Sequence, residues 1–595
     1  MPNNTPLSDS VWTRRRLLRS SLVLGVVGAA GAGALLGACT SPAPVLGPTA
    51  APAAPAPTSP PATGPTSAPA AAPAATTAPA VPAPAPTAAA AGKGGVLVAG
   101  WEEDAANLDP TKLLCAHESR MASLFADTLW QQYGSSTDIK PGLADKWTPS
   151  ADGLSWDVNL HPNVMFQDGT PCNADAVVWS FNRWLDPQHP FYDGPYGLLS
   201  YFLAALQGVE KTGDLSVRLS LSKLDATFLS NMLVPYTAPV SPTAVQKMGK
   251  AQFNQTPICT GAFQVTEWQK GVRIVMKRND NYWGDKAQLD QIIIKPIVEN
   301  AQRLSQLQSG DADLIVAMSP EFIPTIQGDP KLQLLQSPGM HIWWIALNMH
   351  EEPMKKKEVR QALNYAVNKD AIVNQILRGA AQITPGPMLP NTWASDPSVT
   401  PYPYDPQKAK DLLTAAGYPD GFSTKFWVPE SGSGMIAPTE IAQVVQANLK
   451  DVGVTADIVT QEWTSYVHDW GATGLDKDNQ PFYGMAEMSW NFFDPDPAFW
   501  LNPNVRTDAQ PPKAFNGGFY SNPQVDDLLT KASAVIDQET RAGYFQQAQK
   551  VMLDDCPWIF TFSANNIAAT RKGVQGVVLN PCPSLIRLNT AYLTA

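Results

Sequence analysis

Apolar and polar residues alternate along Trp156-Asp157-Val158-Asn159-Leu160, the period of a strand with one buried face. Asp168-Gly169 follows as a turn dipeptide, because glycine takes a positive φ without steric cost. Asn173 stands where an N-cap should, and Val177, Val178, Phe181, Trp184 and Leu185 recur behind it at helical spacing. The stretch from Leu143 to Pro187 is therefore predicted to be a strand, a tight turn and a capped helix.

Similar patterns fill the rest of the chain. Gly95–Gly100 reads as a first strand, Gly208–Leu221 as a hairpin, and Val272, Ile274 and Met276 alternate as in a strand. Gln291–Val298, Asn300–Ser309 ending at Gly310, and Asp313–Met318 give strand, helix and strand. Ile342–Asn348 is apolar. Two helices are predicted within Glu358–Leu377. Asp405-Pro406 starts a helix that Gly417 ends, with Asp as N-cap, Pro at the first helical position and Gly past the end. Phe426–Pro429, a helix carrying Ile441, Val445 and Leu449, and Val454–Ile458 form a second strand–helix–strand unit. Helices close the pattern at Asn522–Ala532 and Arg541–Leu553. Two such units predict an α/β protein with a mixed or parallel sheet in each of two lobes.

The N-terminus does not belong to that pattern. Residues 1–39 contain Thr13-Arg14-Arg15-Arg16-Leu17-Leu18-Arg19, then an uncharged Ala/Gly/Val/Leu run, then Leu36-Gly37-Ala38-Cys39. This resembles a twin-arginine export signal ending in a lipobox, which implies lipidation of Cys39 and anchoring to the outer face of the cytoplasmic membrane, in the periplasm or cell-wall zone. The competing reading is one membrane-spanning helix. Residues 40–92 carry no charge and are almost all Ala, Pro, Thr and Ser. Such a segment has too little apolar surface to fold, and as an extended tether it would reach about 160 Å.

Of 595 residues, 16% are charged and 44% hydrophobic, which fits a large globular chain. The net charge is −11; the first 39 residues hold four Arg against one Asp, so the remainder carries −14. That balance argues against nucleic acid as a partner. With Cys39 set aside, Cys115, Cys172, Cys259, Cys556 and Cys582 leave at least one thiol unpaired and room for one or two disulfides, whose pairing stays open.

One block carries a family resemblance. Trp147, Asp152-Gly153, Trp156, Phe166, Asp168-Gly169, Pro171, Ala174, Asp175 and Ser180-Phe181-Asn182-Arg183 resemble, in order, a signature of the solute-binding proteins of peptide/nickel-type ABC importers. Asn107-Leu108-Asp109-Pro110 before the block, and Thr260-Gly261-Ala262-Phe263, Arg278-Asn279, Tyr282-Trp283-Gly284 and Gly310-Asp311-Ala312-Asp313 after it, resemble further pieces, so the likeness covers nearly everything from Lys93 onward. It implies a two-lobed periplasmic-binding-protein-like fold, with an extra third lobe and a hinge between lobes. The implied segments are 93–140, 259–350 and 566–595 for lobe I, 141–258 for the extra lobe II and 351–565 for lobe III. It further implies capture of a small-molecule or oligopeptide ligand, delivery to permease and ATPase subunits, a monomer, and no catalysis.

Candidate site residues follow from the same resemblance. Leu114, Cys115, Ala116 and His117 fall on a loop facing the implied cleft; for His117 an ordinary exposed loop histidine is an equal reading. In the second lobe the candidates are Trp427, Trp463, Trp470 and Trp490, because aromatic faces suit amphipathic ligands, against an even chance that each is a core tryptophan. Asn491, Phe492, Phe493 and Asp494 complete the set. Peptide-binding relatives place an Asp for the ligand's α-ammonium where this chain has Phe493, so the cleft is expected to suit a free amino terminus poorly unless Asp494 substitutes. No H-E-x-x-H, C-x-x-C, G-x-S-x-G or phosphate loop occurs, so no metal site or cofactor is expected. Asp494-Pro495-Asp496-Pro497 is the one carboxylate pair that would support the alternative reading, an extracellular oligosaccharide-binding protein or glycoside hydrolase. A surface adhesion protein on a stalk is a third reading, suggested by the tether alone.

Overall fold

A computed structural model describes residues 94–132, 137–194, 199, 203–390, 392–432, 434–472, 482–491 and 495–594. Cys39, the tether, Phe492, Phe493 and Asp494 lie outside the described residues.

An 11-stranded mixed sheet runs through both halves of the molecule. Its spatial order begins Val454–Gln461, Phe422–Pro429, Met485–Asn491 and Leu332–Leu347. It continues through Trp558–Arg571, Leu314–Val316, Val96–Trp101, Gln291–Pro296, Arg273–Arg278 and Phe263–Gln269. Gln291–Pro296 and Leu314–Val316 flank Val96–Trp101, each parallel to it, and Phe422–Pro429 lies parallel to Val454–Gln461, so both strand–helix–strand units run parallel as such units require. A separate four-stranded antiparallel sheet holds Ala144–Pro149, Ser155–Leu160, Ser216–Leu221 and Leu206–Gly213. It shares one hydrophobic core with the first half of the large sheet, where Trp156, Val158 and Val217 pack in the same cluster as Leu97 and Ile292.

Two long antiparallel strands, Leu332–Leu347 and Trp558–Arg571, join the halves. Their pairing is regular from Leu332↔Arg571 to Pro338↔Asn565, breaks, and resumes at Ile342↔Ser563. The break needs Gly339, since a Cβ there would stand 2.3 Å from the Ala564 carbonyl oxygen. Beyond it, Ile342, Trp344 and Ala346 face one core of the second half, and Trp343, Ile345 and Leu347 face the other. Such a strand, buried on both sides, reads as a continuous apolar run, which is why only its Ile342–Asn348 portion stands out in the sequence.

Local predictions mostly meet their cause in the structure. Asn173 caps Ala174–Leu185 by accepting from the Ala176 amide at 3.1 Å, and Gly310 ends Asn300–Ser309 at φ 89°. Asp405 caps Pro406–Ala415 through the Lys408 amide at 2.9 Å. The second helix predicted before Leu377 is instead one short turn, Lys369–Ala371, continued as a π-helix over Ile372–Ile376. Cys172, Cys259 and Cys556 are buried free thiols, and burial pushes Cys556 up to about 12.

Candidate functional site

Where the two crossing strands break register, a cavity of about 660 Å³ opens between the halves. Four stretches build its walls: the loop and helix after the first strand, the crossing strands, the loop before Pro438–Lys450, and the returning C-terminal segment. Its apolar wall includes Val298, Val316, Met318, Ile567 and Leu585, and no Phe, Trp or Tyr lines it among the described residues.

The first half supplies the charge. Glu102 and Glu103 directly follow the strand Val96–Trp101, and His117 and Arg120 lie on the helix Ala116–Ala122. That helix is held by Glu118, 1% exposed, whose carboxylate accepts the amides of Leu114 at 2.7 Å and Ala106 at 2.8 Å. Arg120 grips Glu102 with Nη1 at 2.7 and 3.0 Å and donates Nε to the Pro583 carbonyl at 2.7 Å. Burial would raise the Glu102 carboxyl, but Arg120 and His117 outweigh it and the net shift is downward. Glu103 is shifted upward, by desolvation first and by Glu102 and Glu118 besides, against the pull of His117. The His117 ring approaches it with Nδ1 at 3.8 Å.

The crossing strands supply polar atoms that lack a well-formed hydrogen bond. His341, 6% exposed, has no well-formed hydrogen bond at Nε2, and burial depresses it to about 4. It is therefore neutral near pH 7. Asn565 donates Nδ2 to Gln336 Oε1 at 3.1 Å, which leaves its Oδ1 unpartnered. Asn491 also lines the cavity, as does Gly434, where a Cβ would stand 3.0 Å from Asn491 Nδ2 and 3.2 Å from His341 Nε2.

The sequence candidates divide. Ala116, His117 and Asn491 line the cavity; Leu114 and Cys115 do not, because they turn into the loop that Glu118 clamps. Trp427, Trp463 and Trp470 are 4%, 3% and 1% exposed, in the core of the second half. Trp470 stacks on Tyr483 and donates to the Phe515 carbonyl, and Trp427 packs on Tyr483 and Phe482. Trp463, Tyr466, Val467 and Trp470 recur at helical spacing on the inward face of Trp463–Ala472, and the core offers the rings both stacking and a hydrogen-bond acceptor. Trp463 nevertheless underlies the cavity rim, since its ring would meet a Cβ on Gly432 at 2.3 Å. Trp490 is half-buried against Phe499 and Phe515. Glu102, Glu103, Arg120, His341 and Asn565 are missing from the sequence candidates; the one signal for any of them is the pair of carboxylates just after the first strand.

Of the carboxylate pair that would have served a hydrolase, Asp494 lies outside the described residues. Asp496, 3% exposed, is bound by both terminal nitrogens of Arg541 and is structural.

The family model for bacterial extracellular solute-binding proteins, family 5, matches residues 138–511. This chain belongs to that family. A family 5 protein binds solute for an ABC importer outside the cytoplasm and is not an enzyme. The chain is 34% identical to heme-binding protein A of Haemophilus influenzae over 462 residues, covering 75% of this chain and 83% of that one. It is 31% identical to the dipeptide-binding protein of Escherichia coli over 462 residues, covering 75% and 85%. The structure of HbpA2 from Haemophilus parasuis superposes with a TM-score of 0.75 at 27% identity, covering 84% of this chain and all of that one.

One buried group of this family 5 protein predicts a pH dependence. Glu487 is fully buried in the strand Met485–Asn491, and neither carboxylate oxygen has a hydrogen-bond partner. Desolvation, with Glu440 adding repulsion, raises it well above 4.5. The folded state thus holds this proton more tightly than the unfolded one, and its stabilising effect, complete below about pH 4.5, is lost as pH rises above that. Glu487→Gln is expected to be more stable than the wild type at pH 7–8, with the difference vanishing near pH 4. Denaturant midpoints across that range measure it; a difference constant with pH would contradict the assignment.

Proposed function

We propose that this family 5 protein captures a short peptide or peptide-like solute between its two lobes, closes about the crossing strands, and delivers the solute to a permease driven by ATPase subunits. The observation that carries this reading is the cavity at the register break: polar atoms that lack a well-formed hydrogen bond stand on the two strands that join the lobes, beside an apolar wall. A ligand satisfying groups on those strands favours one relative placement of the lobes, the differential contact that drives hinge closure. The name of the Escherichia coli dipeptide-binding protein supports the peptide class. Ligand is expected to raise the melting temperature by mass action. Calorimetry with a mixed pool of dipeptides to tetrapeptides, against a pool of short oligosaccharides, tests the class: heat with peptides alone supports it, and binding of the sugars alone overturns it.

The protein is proposed to act as a monomer, lipidated at Cys39 and held to the membrane through the tether of residues 40–92. Cys39→Ala is expected to shift the protein out of the membrane fraction or to leave it unprocessed. A variant of mature size that stays with the membrane would contradict lipidation there.

A further inference from the structure

The peptide-solute reading leaves open what chemical group the cleft selects, and the charges on its wall bear on that. Glu102, Glu103 and Arg120 are the Asp, Glu, Lys and Arg side chains among the described lining residues. Arg120 is committed to Glu102 and to the Pro583 carbonyl. Glu103 is left over, its side chain 35% exposed toward the cavity. His117 approaches it to 3.8 Å, longer than the roughly 2.7–2.9 Å of a charge-assisted hydrogen bond. A half-buried carboxylate without a close cation is costly, and a ligand cation relieves that cost.

A second observation lies across the cavity. His341 Nε2 faces the Gly434 backbone without a well-formed hydrogen bond, Asn565 Oδ1 is unpartnered on the other crossing strand, and His341 is more than nine-tenths buried. A buried polar atom without a well-formed hydrogen bond, beside a cavity, is a group to which a ligand can supply one. His341 is neutral near pH 7, so it offers a hydrogen bond and no charge for a carboxylate.

Resting on the solute-binding reading, we propose that the cleft selects solutes bearing a protonated amine, which Glu103 holds from the first lobe while His341 and Asn565 hold an uncharged amide of the same solute. The amine is thus held from the first lobe. The lack of a carboxylate at Phe493 does not then exclude a free amino terminus; it moves the anchor to Glu103. Arg120 being balanced by Glu102, a free carboxylate on the solute contributes little.

Calorimetry on the full-length protein tests this with one pool of dipeptides to tetrapeptides in three forms: unmodified, N-acetylated and C-amidated. The wild type is expected to lose about tenfold or more in affinity on acetylation, the scale of one charge-assisted hydrogen bond, and little on amidation. Glu103→Gln should weaken the unmodified pool to a similar extent and leave the acetylated pool unchanged. An unchanged thermal midpoint shows that this partly exposed substitution folds. Equal binding of the unmodified pool by Glu103→Gln and the wild type, or undiminished binding of the acetylated pool by the wild type, would overturn the Glu103 anchor while leaving the peptide reading intact. No binding of any form to the wild type would overturn both.

Discussion

Asp109→Ala is expected to destabilise the protein by about 3–5 kcal/mol, because it removes the close carboxylate from a buried guanidinium whose next one, Asp193, stands 4.0 Å away. Asp109 and Arg183 are each about 1% exposed. Arg183 Nη1 donates to Oδ1 at 3.2 Å and Nη2 donates to Oδ2, while its Nε has no partner of its own. The pair ties the loop after the first strand to the helix Ala174–Leu185, which belongs to the smaller sheet's side of the shared core. Asp109 also accepts the Thr111 amide at 3.2 Å and hydroxyl at 3.0 Å, so the loop loses its own turn as well. Replacing both members by apolar residues, Asp109→Leu with Arg183→Met, is expected to recover most of the loss, since no charge is then left buried. Urea unfolding midpoints and slopes for the three proteins measure this. A single-mutant loss under about 1 kcal/mol would mean that the pair behaves as a surface ion pair does.

Arg541→Met is expected to cost a comparable amount, about 3–5 kcal/mol, and to loosen one lobe from the other. Arg541 binds Asp496 with two nitrogens, both side chains 4% exposed, and donates Nε to the Ala532 carbonyl at 2.9 Å. Its Nη1 also reaches the Ala226 carbonyl at 3.0 Å, on the chain that follows the strand Ser216–Leu221 of the smaller sheet. Methionine keeps most of the packing against Trp393 and Phe545 but abandons the Asp496 carboxylate in the interior. Lysine should not rescue it, because a point charge cannot serve both carboxylate oxygens and two carbonyls. Thermal midpoints measure the loss; faster proteolysis near Ala226 would report the loosened contact. Wild-type stability in Arg541→Lys would contradict the forked role.

Elements with local signals were legible in the sequence. The caps at Asn173 and Asp405 and the glycine at 310 are chemistry within a few residues, and they fix helix ends whatever the rest of the chain does. The crossing strands were only partly legible. Leu332–Leu347 is 16 residues long and changes its burial along its length, so no single period describes it. Its pairing with Trp558–Arg571 joins positions more than 200 residues apart. The candidate site shows the same limit. Tryptophans were natural candidates for an aromatic wall, yet stacking on Tyr466 and Tyr483 takes Trp427, Trp463 and Trp470 inward. Glu103, His341 and Asn565 carry no motif, because the cavity assembles them from a loop and two strands distant in the chain.

Small-angle scattering of the full-length protein, with and without the pool of dipeptides to tetrapeptides, tests the central claim most directly. Two lobes closing on a solute predict a smaller radius of gyration with ligand, at concentrations where calorimetry records binding. Saturating, calorimetrically verified binding with an unchanged radius of gyration would contradict capture by hinge closure.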